Sequence, residues 1–174
     1  MANTYTLIQA QTLTNSSTSA VTFSSIPATY TDLVFRLSTR DNGSGTVDGQ
    51  ILWRLNGGTS GYSSTGLRGN GAAAASSRSS AVTYNGWVYS YTDGSTATAS
   101  TFGNAEIYIP NYTSTTSKPQ SFFGVGETNA TTAYMGVTAE LSSLTSAITS
   151  VEISLGAGPF LTGSSFYLYG IKSS

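Results

Sequence analysis

The sequence predicts an all-β fold, an antiparallel β-sandwich with jelly-roll-like organisation and about nine to eleven short strands. Three observations support this prediction. Apolar and polar residues alternate with a period of two in many short segments, which is typical of strands with one buried face. Turn residues, mainly Gly, Asn, Asp, Ser and Pro, separate these segments. No repeat of fixed period indicates a propeller or a solenoid.

A single domain is expected over residues 1–174. This length can bury a sizeable core, and no linker divides the chain into two. Hydrophobic residues make up 39% of it, with 11 Tyr and 7 Phe. That content is enough to form a core, so we reject the disorder that a chain so rich in Ser and Thr would otherwise suggest.

The N-terminal third contains four predicted strands. Tyr5–Leu13 is the first, and Ala20–Ser24 is a short second strand that ends before Pro27, because proline has no amide hydrogen for a ladder. The clearest early strands lie at Leu33–Leu37 and Ile51–Leu55, where every second residue is large and apolar.

The middle of the chain is less regular. Tyr62 and Leu67 indicate a further short strand, and Gly69–Ser80 has almost nothing to bury, so we expect a mobile surface loop there. Val82–Tyr91 is aromatic and is predicted to be extended. Asp93–Ser100 is a linker rich in small polar residues.

Three alternating segments follow the linker. They lie at Ala105–Ile109, Pro119–Glu127 and Met135–Leu141, and the last two are split by a turn at 128–130. Leu144 and Ile148, with Leu141, give a weak indication of a helical turn.

The C-terminal pair of strands is predicted at Val151–Leu155 and Phe166–Ile171. The final strand is apolar on both faces, so both should be covered, by the other sheet or by another subunit. Tyr167 and Tyr169 are therefore candidate oligomer contacts. They motivate the prediction of a homo-oligomer, a trimer.

Composition excludes several functions. Only 9% of the residues are charged and the net charge is -1, which argues against nucleic-acid binding. The chain has no Cys and no His, so disulfides, the commonest zinc ligands and the commonest general base are missing. No apolar run is long enough for a membrane span. Residues 1–4 show no secretion signal, so we expect synthesis in a cytoplasm.

An enzyme is not expected. Glycosidases need only two carboxylates, but the four strand glutamates lie at positions predicted to face solvent. They are Glu106, Glu127, Glu140 and Glu152. No nucleotide-binding or hydrolase motif is found, and no cofactor is predicted.

One Gly-rich loop carries oxygen atoms of the kind that calcium binds. Asp41, Asn42, Ser44 and Asp48 supply oxygens there, but their spacing does not match an EF-hand loop. An ordinary turn is favoured, and no metal is predicted.

The best candidate for partner contact is an aromatic segment. Tyr84, Trp87, Tyr89 and Tyr91 crowd into eight residues, and the last three would share one face of a strand. Tyr and Trp bury much area while keeping a polar edge, which suits contact with a protein or a sugar. The alternative is that this face belongs to the core.

Three segments carry a family resemblance, within similarity spread from residue 5 to residue 171. They read ATYTDLVFR over 28–36, FGNAEIYIPNY over 102–112 and GSSFYLYGI over 163–171. With them the chain resembles small virion accessory proteins of tailed phages. The resemblance implies a jelly-roll-like sandwich with a structural role, and it assigns no functional residue.

Two functions follow from that resemblance. The first is a capsid decoration (cement) protein on the outer surface of the virion head. It would bind the major capsid protein, as a homotrimer seated on a symmetry axis, and stabilise the shell. The alternative is a tail or head fibre module that recognises a host surface glycan through exposed aromatic residues.

Overall fold

The computed structural model describes residues 4–45, 49–127 and 133–172, without the side chain of Glu127. These residues form twelve strands and no helix, so none of them belongs to a helix long and apolar enough to cross a membrane. The all-β prediction is confirmed. The strands are β1 (Tyr5–Thr12), β2 (Ala20–Phe23), β3 (Asp32–Thr39), β4 (Gly49–Leu55), β5 (Tyr62–Gly69), β6 (Ala74–Val82), β7 (Tyr91–Thr92), β8 (Gly103–Ile109), β9 (Lys118–Glu127), β10 (Ala133–Ser142), β11 (Val151–Leu155) and β12 (Ser165–Ile171).

Two antiparallel sheets make up the sandwich. The larger has the order β1-β12-β3-β8-β9-β10-β5-β6, and the smaller has the order β2-β11-β4-β7. Eight strands pair as in a jelly roll. When β1, β2, β3, β4, β7, β8, β11 and β12 are taken in chain order, the first pairs with the last, the second with the seventh, the third with the sixth and the fourth with the fifth. We call these eight strands the jelly-roll body.

The other four strands are two inserted hairpins. One, β5–β6, interrupts the chain between β4 and β7, and the other, β9–β10, interrupts it between β8 and β11. The hairpins pair with each other through β10 and β5, and they join the body through β9 and β8. We call them the appended strands, because they continue the larger sheet beyond the edge of the body.

The core of the jelly-roll body lies between its two sheets. Phe35, Ile107 and Phe166 of the larger sheet face Trp53 and Ile153 of the smaller, and all five are fully buried. Removing this apolar surface from water is the main term that stabilises such a fold. The period-2 pattern predicted these inward positions, and all six of the clearest predicted strands are present.

Two local predictions are wrong. The segment expected as a mobile loop contains most of β6, whose side chains bury little but whose backbone forms a ladder with β5. The segment expected to be extended, Val82–Tyr91, belongs to strands only at its two ends, Val82 in β6 and Tyr91 in β7. Its middle part, 83–90, is irregular, and we call it the covering segment.

The weak indication of a helical turn is also wrong. Residues 143–150 are irregular, and the Ile148 amide donates instead to the carbonyl of Tyr112 at 3.0 Å. The predicted turn at 128–130 lies outside the described residues.

The final strand is central, as expected. β12 lies between β1 and β3, and Phe166 and Leu168 face the smaller sheet. On the other face Tyr167 and Tyr169 are half-buried. Tyr169 is covered in part by the ring of Tyr5, whose centre lies 6.5 Å away.

Candidate functional site

The appended strands have inverted polarity. In β10 the polar residues Thr138 and Glu140 are buried, whereas Met135, Val137 and Leu141 are exposed. The expectation that Glu140 faces solvent is therefore wrong. Alternation predicts two faces for a strand, but it does not say which of them is covered.

The inversion follows from what lies beneath these strands. Of the smaller sheet, only the edge strand β7 reaches β10 and β5, where Tyr91 contacts Tyr134 and Arg68. At Gly66 and Gly136 the covering segment packs against them instead. At Gly136 the backbone of this segment comes so close that a Cβ would collide with the Tyr89 carbonyl oxygen. An irregular segment brings polar backbone groups with it, so the strands above it need polar or very small side chains.

Glu140 is the centre of this polar interior. The Ser64 hydroxyl donates to Oε2 of Glu140, and the Thr138 hydroxyl donates to Oε1 at 2.7 Å. Burial raises the pKa of Glu140, and the hydrogen bonds from Ser64, Thr138 and the Gly86 backbone act in the opposite direction. A carboxyl group satisfied in this way is a structural element of the interior.

The covering segment is fixed to the jelly-roll body. The Ile51 amide donates to the Ser90 carbonyl at 2.8 Å, and the Gln50 side chain donates to the Trp87 carbonyl at 3.0 Å. Asn85 shares the Gln120 side-chain oxygen with the indole of Trp53. These bonds hold the aromatic side chains of the segment in place.

The outward face of the appended strands is an apolar patch. Its five large side chains are each between 43% and 58% exposed. We define the apolar patch by its members, which are Leu67, Phe123, Met135, Val137 and Leu141.

The patch is continuous across three strands. Val137 of β10 lies directly opposite Leu67 of β5 on one side and Phe123 of β9 on the other. Its rim is polar, because Phe123 neighbours Glu106, which pairs with Arg36 at 2.6 Å. A contiguous apolar surface with a polar rim is typical of a protein interaction site.

The aromatic segment lines a second feature, a cavity of about 460 Å³ on the inner side of the sheet edge. Its wall combines Arg68 of β5, serines of β6 and three aromatic residues. We call it the tyrosine–arginine cavity, and its main lining residues are Arg68, Ser77, Ser79, Trp87, Tyr89 and Tyr91.

Arg68 is braced by three tyrosines. It donates to the Tyr91 hydroxyl at 2.9 Å, and its guanidinium lies 5.1 Å from the ring centre of Tyr89 and 5.2 Å from that of Tyr134. The Tyr91 ring stacks on that of Tyr134 at 4.8 Å. The hydrogen bond to Tyr91 raises the pKa of Arg68, so the group stays charged.

Three of the four predicted contact residues meet at this cavity. Trp87 is 44% exposed, Tyr89 is half-buried and Tyr91 is buried. They converge through a turn, so the prediction that they share one strand face is wrong. Tyr84 lies apart, with its ring 3.9 Å from the guanidinium of Arg54.

Tyr167 and Tyr169 lie on the same outer sheet face as the apolar patch, at its opposite end. There Tyr169 lies opposite Leu7, and both Tyr5 and Leu7 are more than half exposed. The outer face thus has two apolar regions, with the Arg36–Glu106 ion pair between them.

The other acidic candidates do not converge. Glu152 pairs with Arg54 at 3.7 Å, on the smaller sheet, and Glu106 lies on the larger. In the Gly-rich loop, Asp41 accepts the Gly43 amide at 2.7 Å, as in a turn, and Asp48 is outside the described residues. In the described part of the chain, no group of three acidic residues could hold a metal ion.

Sequence reasoning missed Arg68 and the whole apolar patch. The signal for the patch was present in the glycines opposite it, since Gly66 and Gly136 occupy the inner face. Comparison with protein-family models, curated proteins and solved structures finds no match to the chain.

Proposed function

We propose that the chain is a capsid decoration protein of a tailed phage, a structural protein that binds the outer surface of the head and stabilises the shell. The observation that carries this proposal is the apolar patch. Five large apolar side chains on the outside of a regular sheet stay exposed to water in the isolated chain, which is unfavourable unless a partner covers them.

The electrostatics of the chain support attachment by shape and apolar contact. Only 9% of residues are charged, so long-range steering toward a partner is weak. The ion pair at the rim, Arg36 with Glu106, is neutral as a unit. An interface with an apolar centre and a polar rim is the usual arrangement between proteins.

The two apolar regions of the outer face suit two different contacts. We assign the apolar patch to the major capsid protein, and we assign the region around Tyr167 and Tyr169 to sister copies in a homotrimer. Linking three copies raises the effective concentration of the second and third attachments, so weak individual contacts add up to stable binding. Binding to the assembled lattice then stabilises the shell by mass action.

The test uses two matched variants on one sheet face. Val137→Asp should abolish binding to tailless heads that lack the protein, while leaving the oligomer intact in sedimentation. Tyr169→Asp should dissociate the oligomer and weaken head binding through the loss of multivalency. Heads without the protein should release DNA at a lower temperature than heads that carry it.

Two outcomes would overturn this proposal. One is a wild-type chain that associates with tails and never with tailless heads. The other is a Val137→Asp variant that decorates heads as tightly as the wild type.

The alternative, a fibre module that recognises host glycan, is favoured by one observation, the tyrosine–arginine cavity. Sugar sites combine an exposed aromatic ring with fixed polar groups, and Trp87, Arg68 and the serines of β6 provide that combination. A decoration protein with such a cavity would also be able to hold the particle near a host surface.

A further inference from the structure

We propose that the tyrosine–arginine cavity binds an acidic saccharide, a hexuronate residue of a polysaccharide, with its carboxylate on Arg68 and its ring on Trp87. The inference rests on the proposed alternative of glycan recognition and specifies its ligand class. It does not depend on what covers the apolar patch.

The cavity carries positive charge. Two of the seven basic residues, Arg68 and Arg78, line it, and the described lining residues include no acid. Neither arginine belongs to the ion pairs of the described residues, which join Arg36 to Glu106 and Arg54 to Glu152. The cavity is therefore electropositive in a chain whose net charge is -1.

Arg68 is the cation that the inner wall presents. Arg68 lies on the same side of β5 as Ser64 and Gly66. Arg78 lies on the edge strand β6, on the side opposite to that of its neighbours Ser77 and Ser79. A guanidinium has five N–H donors in a planar fork, and among the described residues Arg68 uses one of them, toward Tyr91. The rings of Tyr89 and Tyr134 lie close to the guanidinium, and its remaining N–H donors match a planar anion such as a carboxylate.

Trp87 presents an exposed aromatic ring at the same cavity. Trp87 is 44% exposed, although its carbonyl accepts a hydrogen bond from the Gln50 side chain. The neighbouring Tyr89 is held at φ 55°, in a region that residues other than glycine seldom occupy. Backbone outliers of this kind are concentrated at ligand sites, and this one turns the covering segment so that both rings face one cavity.

Together these features select the ligand class. A hexuronate has an apolar ring face that stacks on an aromatic side chain, and a carboxylate attached directly beside that ring. The hydroxyls of Ser77 and Ser79 provide both donors and acceptors for the remaining sugar hydroxyls. A neutral sugar has no carboxylate to accept hydrogen bonds from the Arg68 guanidinium.

The test is calorimetric titration of the whole chain with tri-galacturonate and with its methyl ester, which has the same backbone without the charge. Binding of the acid is expected to be at least about tenfold tighter than binding of the ester, since a charge-assisted hydrogen bond contributes more than a neutral one. Added salt should weaken the binding of the acid and leave the binding of the ester unchanged. The indole emission should change on binding, because Trp87 is exposed while Trp53 is buried.

Substitutions at Arg68 and Trp87 test which side chains contact the saccharide. Arg68→Gln should remove the preference for the acid, and Arg68→Lys, which keeps the charge but not the fork, should retain part of it. Trp87→Ala should weaken acid and ester alike. Arg36→Gln is the matched control, since it removes the same charge from the opposite sheet face and should change neither affinity.

The outcomes separate the inference from the function on which it rests. Equal affinity for acid and ester, or an unchanged preference in a folded Arg68→Gln variant, would overturn the acidic ligand class and leave glycan binding standing. Binding of neither compound would overturn both. Thermal unfolding of each variant shows that it is folded, and Arg68→Lys decides the matter should Arg68→Gln fail to fold.

Discussion

The jelly-roll body and the appended strands bury their residues in opposite ways within one continuous sheet. In the body the apolar side chains point inward, where Phe35 and Ile107 meet the smaller sheet. In the appended strands the inward side chains include Glu140 and Thr138, and the outward ones are those of the apolar patch. The same alternating pattern thus serves a core in one half and a surface in the other.

The difference shows that the cover determines the polarity of a strand. A regular sheet has its backbone groups paired internally, so it presents only side chains to the layer opposite it, and an apolar core results. An irregular segment still has backbone groups to satisfy, and it favours hydroxyl, amide and carboxyl side chains above it. The apolar positions of β10 are left outside, where we propose that a partner covers them.

The largest expected effect is on the core of the jelly-roll body. Phe35→Ala removes a fully buried ring that packs against Phe23 with 5.4 Å between ring centres. The cavity left behind should lower the free energy of unfolding by about 3–5 kcal/mol, measured by chemical denaturation. A loss of less than about 1 kcal/mol would show that the two sheets are not closely packed at this point.

A pH series tests the polar interior under the appended strands. Burial raises the pKa of Glu140 in the folded state above its value in the unfolded chain, about 4.3. In the pH window between the two values the folded protein binds more protons, so its unfolding free energy falls as pH rises. Above the folded-state pKa, Glu140 should no longer make the unfolding free energy depend on pH.

Glu140→Gln isolates that contribution. The variant keeps the size of the side chain and has no titrating group, so the difference between wild type and variant should change across the same pH window. Melting temperatures measured from about pH 4 to pH 8 give this difference directly. A constant difference over the whole range would mean that Glu140 is as solvated as the sequence alone suggested.

The smallest expected effect is on the patch itself. Val137→Ala removes two methyl groups from a side chain that is 45% exposed, so the unfolding free energy should change by no more than about 0.5 kcal/mol. The matched control is Val151→Ala, since Val151 is fully buried between the same kinds of neighbours, Phe23 and Leu55. A loss for Val137→Ala as large as that for Val151→Ala would contradict the exposure of the patch.

The jelly-roll body could be predicted from the sequence because its strands combine alternation with large inward residues, as in 33–37 and 151–155. The orientation of β10 could not, since Met135 and Glu140 exchange the sides expected of them, and only the position of the covering segment explains why. β6 could not be predicted because its Ser- and Ala-rich sequence has no apolar period. Its pairing with β5 depends on backbone hydrogen bonds, which leave no pattern in the side chains.

The sequence indicates aromatic contact residues but not the tyrosine–arginine cavity, and partner contact stays a prediction. Clustered aromatic residues indicated contact at Trp87, Tyr89 and Tyr91, and these residues do line one cavity. Arg68 lies nearly twenty positions earlier in the chain, on a strand that pairs with β10, so no local pattern connects it to them. Tyr84 was grouped with them by proximity in sequence alone, and its ring packs on Arg54 instead.

The proposal that the apolar patch docks on the head shell is tested most directly by oxidation footprinting of Met135. This side chain is 52% exposed and belongs to the patch, whereas Trp87 is 44% exposed and lies in the cavity on the inner side of the sheet. Brief oxidation of the free chain should convert Met135 to its sulfoxide and modify Trp87, both measured by mass spectrometry. On decorated heads, Met135 should be protected at least about tenfold while Trp87 stays reactive, because only the outer sheet face is covered. Equal oxidation of Met135 in the free and the particle-bound chain would contradict docking through the apolar patch.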